Sequence, residues 1–223
     1  MDKGLKTIRA QKAKKILDIL EKAYPGATIA LRFKNPLELL VATILSAQAT
    51  DKLVNQVTER LFKKYRSAAD YAAAGAEAFE RDISSVNFYR NKAKSIRNCA
   101  RMIVEDFNGE VPATLEDLVK LPGVGRKTAN VVLANAFGIP ALAVDTHVKR
   151  VSRRLGLASS EVPDEIEAEL TSIIEKRRWA ETTTLFILHG RTTCKARKPL
   201  CEDCPVNAYC DYYKEAAGKG PAC

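Results

Sequence analysis

Long apolar runs are absent from this 223-residue sequence, which excludes a membrane-spanning helix as a predicted element. No segment reaches the roughly 18 continuous apolar residues that a membrane span needs, and the charged stretch from Met1 to Lys15 lacks a hydrophobic signal core. Alternating strand patterns are scarcely visible, and the chain shows neither an internal repeat nor a low-complexity linker. The sequence therefore predicts a soluble, cytoplasmic, all-helical protein whose domain boundaries fall in short turns.

Acidic residues are fewer than basic residues in this sequence. The chain has 36 Lys and Arg residues against 27 Asp and Glu, which gives a formal net charge of +9. Such an excess favours a polyanionic partner, although a solvated basic surface would produce the same composition. The nature of the partner therefore has to be argued from motifs.

A glycine turn, Leu121-Pro122-Gly123-Val124-Gly125, separates two predicted helices. Pro122 and the glycines end the first helix and the second begins near Arg126, so the segment predicts a helical hairpin. The backbone N–H groups of Gly123, Gly125 and Arg126 then lie at a helix start, where the positive end of the dipole favours a phosphate. Because neither glycine has a side chain, a nucleic-acid backbone can approach closely.

Capping signals predict where other helices begin. An N-terminal amphipathic helix is expected to end at Pro25-Gly26, and Asn35-Pro36 and Thr50-Asp51 are expected to begin the next two. Asp145-Thr146 and Pro163-Asp164 have the same character later in the chain.

Four expectations concern the middle of the chain. An alanine-rich helix is expected from Asp70 to Phe79, followed by a short element from Ile83 to Arg90. Thr114 and Asp117 are spaced like a capping box. The intervening helix has an apolar face of Ile96, Cys99, Ala100, Ile103 and Val104.

Four of the six cysteines lie within residues 194–210 with the spacing C-x6-C-x2-C-x5-C. They are Cys194, Cys201, Cys204 and Cys210. Four thiolates on a loop-rich segment suit zinc or a [4Fe-4S] cluster, and the spacing does not separate the two. An intracellular context disfavours disulfides. Basic residues between the cysteines, Lys195, Arg197 and Lys198, predict a knob that meets phosphates, whereas Cys223 is expected to be a free terminal thiol.

The hairpin followed by Lys127 and Asp145, together with the cysteine tail, resembles the endonuclease III family of helix-hairpin-helix DNA glycosylases. The resemblance covers roughly residues 25–214 and includes four further segments. These are 45–51 (LSAQATD), 89–93 (YRNKA), 144–147 (VDTH) and 188–191 (LHGR).

The resemblance implies an all-α, bilobal helix-hairpin-helix DNA glycosylase fold. Residues 28–140 would form a six-helix barrel domain that contains the hairpin. Residues 1–27 and 141–223 would form a discontinuous helical domain with a C-terminal cluster loop at 187–213. The implied cofactor is a [4Fe-4S] cluster held by the four tail cysteines, and the implied protein is a monomer that binds duplex DNA across its cleft, nucleoid-associated in a prokaryote.

Lys127 is the candidate nucleophile. A neutral amine that attacks C1′ of the sugar displaces the base and leaves a Schiff base that permits strand cleavage by β-elimination. A position in the first turn of a helix, near other cations and desolvated, is expected to lower the pKa of the amine. Without the resemblance, a phosphate-binding lysine would be the preferred interpretation.

Asp145 is a helix N-cap by position, and the resemblance adds a second role. The matching aspartate stabilises positive charge developing on the sugar and assists proton transfer. A cap needs only one carboxylate oxygen, so the two roles are compatible.

Gln48 and Phe88 match the positions that fill the gap left by a flipped base. Gln48 would hydrogen-bond the orphaned base and Phe88 would wedge into the stack, where the family more usually has leucine. Read without the resemblance, Phe88 is a core aromatic and Gln48 a solvated loop residue. The remaining predicted DNA contacts are Gly123, Val124, Gly125, Arg126, Thr128 and His147.

The implied activity is that of a bifunctional glycosylase and abasic-site lyase, which removes oxidised or ring-saturated pyrimidines from duplex DNA and cleaves the strand 3′ to the abasic site. An adenine glycosylase of the same superfamily would have a glutamate in the place of Thr43, no such lysine and an added domain, and thymine-mismatch glycosylases also usually lack the lysine. A non-enzymatic DNA-binding module is the alternative from another class of protein. Such a module would survive Lys127→Gln with only weakened DNA affinity, whereas an enzyme would lose covalent trapping on DNA. An electron-transfer role would leave the hairpin unexplained.

Overall fold

The computed structural model describes residues 3–217, and in that range the chain is built from α-helices and turns with no β-strand. The all-α prediction is therefore confirmed, whereas Cys223 lies outside the described residues. In chain order the helices are α1 (Lys3–Ala23), α2 (Pro36–Ser46), α3 (Asp51–Lys64), α4 (Ala68–Ala73), α5 (Ala76–Asp82), α6 (Tyr89–Asp106), α7 (Leu115–Leu118), α8 (Arg126–Ala136), α9 (Thr146–Arg154), α10 (Pro163–Ile173), α11 (Trp179–Thr192) and α12 (Asp211–Ala217).

The chain divides into two compact units. One is contiguous, Ile29–Ile139, and contains α2 to α8. The other combines Met1–Thr28 with Pro140–Cys223, and so contains α1 and α9 to α12. Within the described residues, no helix is both long and apolar enough to cross a membrane.

The predicted helix starts at three capping residues are confirmed. The Asn35 side chain accepts a hydrogen bond from the Glu38 N–H at 2.9 Å, and Thr50 Oγ1 accepts one from the Leu53 N–H at 3.3 Å. Asp145 caps α9 in the same manner. Each contact satisfies a backbone donor that the helix itself leaves without a partner.

The single alanine-rich helix from Asp70 to Phe79 is wrong, because the chain forms two short helices, α4 and α5, that break at Ala74 and Gly75. A reciprocal capping box begins α4: Ser67 Oγ accepts from the Asp70 N–H, and Asp70 Oδ2 accepts from the Ser67 N–H. Those hydrogen bonds start α4 two residues before the predicted start, and α5 begins separately with Gly75 as its N-cap residue.

Three smaller expectations also need correction. The stretch before Tyr89 consists of turns rather than a separate element. Thr114 does cap α7, but the Asp117 carboxylate accepts from the Thr114 hydroxyl and from Lys120, so no reciprocal box forms. Val104, expected on the apolar face of α6, is 38% exposed, because it lies at the edge of that face.

Helix α2 is the centre of the contiguous unit. It packs against α3, α6 and α8, and every residue from Leu39 to Leu45 is buried. Burial of a leucine or isoleucine side chain contributes about 1.5–3 kcal/mol, so this one helix organises much of the core that positions the hairpin.

The discontinuous unit has its own core, formed by α1, α9, α10 and α11 through Ile16, Leu20, Val148, Ile166 and Phe186. Arg178, just before α11, donates to Asp18 and Glu21 of α1 and to Glu181. These acidic partners, Glu181 foremost, raise the pKa of Arg178. The ion pairs fasten the N-terminal helix to the later part of the chain.

Candidate nucleic-acid interface and cluster site

The hairpin turn between α7 and α8 has the predicted geometry. Val124 donates its N–H to Leu121 O at 3.0 Å, and Gly125 is the N-cap residue of α8 without a side-chain cap. Among the described hydrogen bonds, none is donated by the N–H of Gly123 or Gly125. The turn therefore presents backbone donors at a helix start, where an anion is favoured.

Glycine is required at position 123 for two reasons. Gly123 has φ +81°, in the left-handed region that side chains disfavour. A Cβ at this position would also lie 2.8 Å from Ser95 Cβ on α6. The turn is consequently held tightly against α6.

The predicted contacts of α8 differ in exposure. Lys127 and Arg126 are exposed in its first turn, and Thr128 is partly buried. Val124 is only 5% exposed and its N–H is already bonded. A ligand at the turn would therefore meet peptide backbone at the exposed Gly123 and Gly125, and charged side chains at Arg126 and Lys127.

Gln48 and Phe88 are both held in an uncommon backbone conformation, with φ values of 54° and 57°. Residues other than glycine seldom adopt positive φ, and such strain is concentrated at functional sites. Phe88 is 62% exposed, so the interpretation as a core aromatic is wrong. An exposed aromatic on a fixed backbone is suited to contact a base.

Thr43 is buried in α2, and its Oγ1 donates to Leu39 O at 2.7 Å. The hydroxyl is committed to its own helix and offers no carboxylate. The position occupied by a glutamate in the alternative adenine glycosylase therefore has no acid–base group here.

Asp145 lies in the discontinuous unit at the start of α9. Its Oδ1 accepts from the N–H groups of both His147 and Val148, each at 2.8 Å. The cap thus uses one carboxylate oxygen. Burial lowers the pKa of neighbouring His147; the charge of Asp145 opposes that shift and the charge of Arg150 adds to it. A neutral imidazole contacts a ligand through hydrogen bonds rather than charge.

A basic pocket on α9 was not predicted from the sequence. It is lined by Thr146, Lys149, Arg150, Arg153 and Arg154. The sequence did contain a signal, because four of these residues are cations that follow a capping aspartate. Counted from Lys149, the other three lie one, four and five positions further along, which puts all four on neighbouring faces of one helix. Glu161 forms ion pairs with Lys149 and Arg153, which offsets part of this charge.

Arginines of α9 also hold the cysteine loop. Arg150 Nε donates to Cys194 O at 3.1 Å, and Arg154 donates to Lys195 O at 2.8 Å and to Ala196 O at 3.2 Å. Arg154 additionally lies 3.4 Å from Cys194 Sγ. The loop is therefore fixed to the helix that begins at Asp145.

The four tail cysteines line one pocket. The backbone N–H of Val206 faces the Cys204 sulfur, and those of Tyr213 and Tyr212 face Cys210. Hydrogen bonds of this kind stabilise thiolates bound to iron–sulfur clusters.

Two further observations concern the pocket lined by the four cysteines. Nowhere in residues 3–217 do three or more His, Cys, Asp or Glu residues converge as they would around one metal ion. Four thiols that line one pocket are a donor set that suits a [4Fe-4S] cluster as well as zinc. His189, whose pKa burial lowers to about 4, lies between the Tyr24 hydroxyl and Cys204 Sγ, at 3.0 and 3.6 Å.

An all-helical chain with a glycine hairpin that presents backbone donors at a helix start, and with four cysteines in one C-terminal loop, has the features of a class, the helix-hairpin-helix DNA repair proteins. Comparison with known proteins agrees. Residues 41–176 match the model of the HhH-GPD superfamily of base excision DNA repair proteins, and residues 194–210 match the iron–sulfur binding domain of endonuclease III.

Individual relatives narrow the class. The chain is 52% identical to endonuclease III of Synechocystis sp., over 91% of this chain and 93% of that protein. It is 48% identical to endonuclease III of Bacillus subtilis, over 92% and 94%. A solved endonuclease III trapped as a covalent intermediate with DNA superposes with a TM-score of 0.88 at 48% identity, covering 93% of this chain and 98% of the other.

The chain therefore belongs to the endonuclease III family. It is a base excision repair DNA glycosylase with abasic-site lyase activity, and it carries a [4Fe-4S] cluster. The resemblance seen in the sequence is confirmed, and the non-enzymatic binding module is excluded.

Proposed function

We propose that Lys127 is the nucleophile of this enzyme. The supporting observation is its position, exposed in the first turn of α8, directly after a glycine turn with backbone donors for phosphate. The existence of a relative captured covalently on DNA is consistent with such a nucleophile. Because Lys127 is exposed, its desolvation would come from the bound substrate.

The chemistry follows from an amine at this position. The Nζ lone pair attacks C1′, the bond from C1′ to the base breaks, and the base leaves with its electron pair and gains a proton. Opening of the sugar ring gives a Schiff base. Loss of a proton from C2′ then breaks the bond between C3′ and its phosphate oxygen, and water releases the sugar fragment and restores Lys127.

Asp145 would assist on the sugar side. Its cap hydrogen bonds use Oδ1, so the carboxylate can stabilise α9 and still act on the substrate through Oδ2. The proposed roles are stabilisation of positive charge that develops on the sugar and assistance to proton transfer.

The proposed substrates are oxidised or ring-saturated pyrimidines and abasic sites in duplex DNA, bound by a monomer on the nucleoid of a prokaryotic cell. The absence of a carboxylate at Thr43 argues against an adenine glycosylase. Gln48 and Phe88 would fill the gap left by the flipped base. Phosphate and sugar contacts are assigned to Gly123, Val124, Gly125, Arg126, Thr128 and His147.

Borohydride trapping tests the proposal. Duplexes that contain thymine glycol or an abasic site are incubated with the enzyme, with Lys127→Gln and with Lys120→Gln, an exposed lysine paired with Asp117 on the same hairpin. We expect a covalent adduct on both duplexes with the enzyme and with Lys120→Gln, and none with Lys127→Gln. An adduct on the abasic duplex alone would withdraw the substrate assignment, and an adduct with Lys127→Gln would withdraw the nucleophile.

A further inference from the structure

The C-terminal end of α2 and the N-terminal end of α6 are joined by side chains of α6 and of the turn before it. Lys92, in the first turns of α6, is only 6% exposed. Its Nζ donates to Leu45 O at 2.9 Å and to Ala47 O at 2.5 Å. Both carbonyls belong to the end of α2, where helical acceptors have no partner in their own helix.

A buried lysine satisfies these carbonyls at a high cost in desolvation free energy. Burial disfavours a charged ammonium and lowers the pKa of Lys92, and none of the described ion pairs involves it. Water could satisfy the end of a helix at less cost. What water cannot do is fix the end of α2 to a particular point on α6.

The fixed point lies next to both candidate gap-filling residues. Asn87 Nδ2 donates to Gln48 O at 2.9 Å, which connects the two loops directly. The Lys92 N–H donates to Phe88 O at 3.1 Å. The hydrogen bonds of Lys92 and Asn87 therefore flank Gln48 and Phe88, two of the four non-glycine residues that the described structure holds at positive φ.

We propose that Lys92 and Asn87 are positioning residues that hold the loops of Gln48 and Phe88 in the conformation for insertion before DNA binds. The proposal rests on the gap-filling roles proposed above. Both side chains must enter the base stack together. They do so more efficiently when their backbones are already fixed, because the entropy cost of ordering the loops is then not added to the cost of base flipping.

The principal test uses Asn87→Ala, because the Asn87 side chain is exposed and its loss leaves the core intact. Single-turnover excision of thymine glycol from a duplex is expected to slow about three- to tenfold, the effect of one hydrogen bond. Borohydride trapping on a single-stranded abasic oligonucleotide, which has no base stack to fill, is expected to be unchanged. Lys92→Met should show the same selective loss, with a larger amplitude.

Asn98→Ala is the matched control. Asn98 lies on the same helix and accepts one hydrogen bond from Arg101 at 3.3 Å, away from both loops. It should leave both rates unchanged. Combination of Asn87→Ala with Gln48→Ala should slow duplex excision by less than the product of the two single effects, because Asn87 acts in part through the position of Gln48.

The outcomes separate the two levels of the proposal. Selective loss with Gln48→Ala and Phe88→Ala but none with Asn87→Ala or Lys92→Met would overturn the positioning role and leave gap filling intact. Equal loss on duplex and single strand would mean that Asn87 and Lys92 serve only general folding, and would also overturn it. No selective loss with Gln48→Ala or Phe88→Ala would overturn gap filling and the positioning role together.

Discussion

The Cβ that Gly123 lacks would lie 2.8 Å from the Cβ of Ser95, a distance that side chains do not tolerate. At Gly125, two residues later, an added Cβ would meet no atom within 4 Å. The protein itself therefore requires glycine at position 123, whereas the space beside Gly125 is open, as the approach of a phosphate would need.

Gly123→Ala should lower stability, because it adds the clash to the penalty of about 1–2 kcal/mol for a side chain in the left-handed region. Gly125→Ala should leave stability unchanged, since φ there is −88°, and should weaken DNA binding by crowding the phosphate. Thermal unfolding and DNA titration measure the two effects. Equal destabilisation by both substitutions would contradict this division.

The cap and the proposed chemistry of Asp145 can be separated. Asp145→Asn keeps an oxygen for the His147 and Val148 N–H groups, and Asn caps helices as well as Asp, so the melting temperature should hold. Asp145→Ala should cost about 1 kcal/mol of stability as well. Both should lower the single-turnover excision rate to a similar extent. If Asp145→Asn retained full activity, the residue would be a cap alone.

Iron content should depend on the tail cysteines and not on Cys99. Cys204 lines the cluster cavity, whereas Cys99 is buried on α6 and belongs to the contiguous unit. Cys204→Ser should lose iron and destabilise the discontinuous unit, and Cys99→Ala should retain the full complement. Metal analysis of the purified proteins gives the answer. Iron retained by Cys204→Ser at the normal level would argue against that ligand.

The cations of the cysteine loop should act through phosphates. Lys195, Arg197 and Lys198 are exposed, and removal of each cation that neutralises a phosphate should reduce the slope of log affinity against log salt by about 0.9. Substitution of all three by glutamine should therefore flatten the salt dependence. Lys63→Gln, an exposed lysine of α3, is the control. An unchanged slope would show that the loop does not meet DNA.

Local chemistry explains which features could be predicted from the sequence. Asn35, Thr50 and Asp145 cap their helices through neighbours two or three residues away, so the chain segment carries the whole signal. The cysteine spacing is equally local. The alanine run predicted one helix where there are two, because alanine propensity alone does not register the break at Ala74 and Gly75, where Gly75 is the N-cap residue of the second helix.

Contacts between distant segments could not be predicted in this way. Arg154 reaches residues about forty positions away, and Lys92 reaches the end of α2 across a similar separation. The exposure of Phe88 and the fit of Gly123 against Ser95 depend on how α6 is placed, which no segment determines alone. The roles of Arg154 and Lys92 could not be predicted because their partners are backbone carbonyl groups. Every residue has such a group, so the sequence does not mark which one is bound.

The position of α1 has a consequence for biosynthesis. Its core partners, α9 to α11, follow it by more than a hundred residues, and Lys12 pairs at 2.6 Å with Asp211 near the end of the described chain. The contiguous unit can fold as soon as it leaves the ribosome, because all its helices are then present. Helix α1 must instead wait, without its core, until α9 to α11 have been translated.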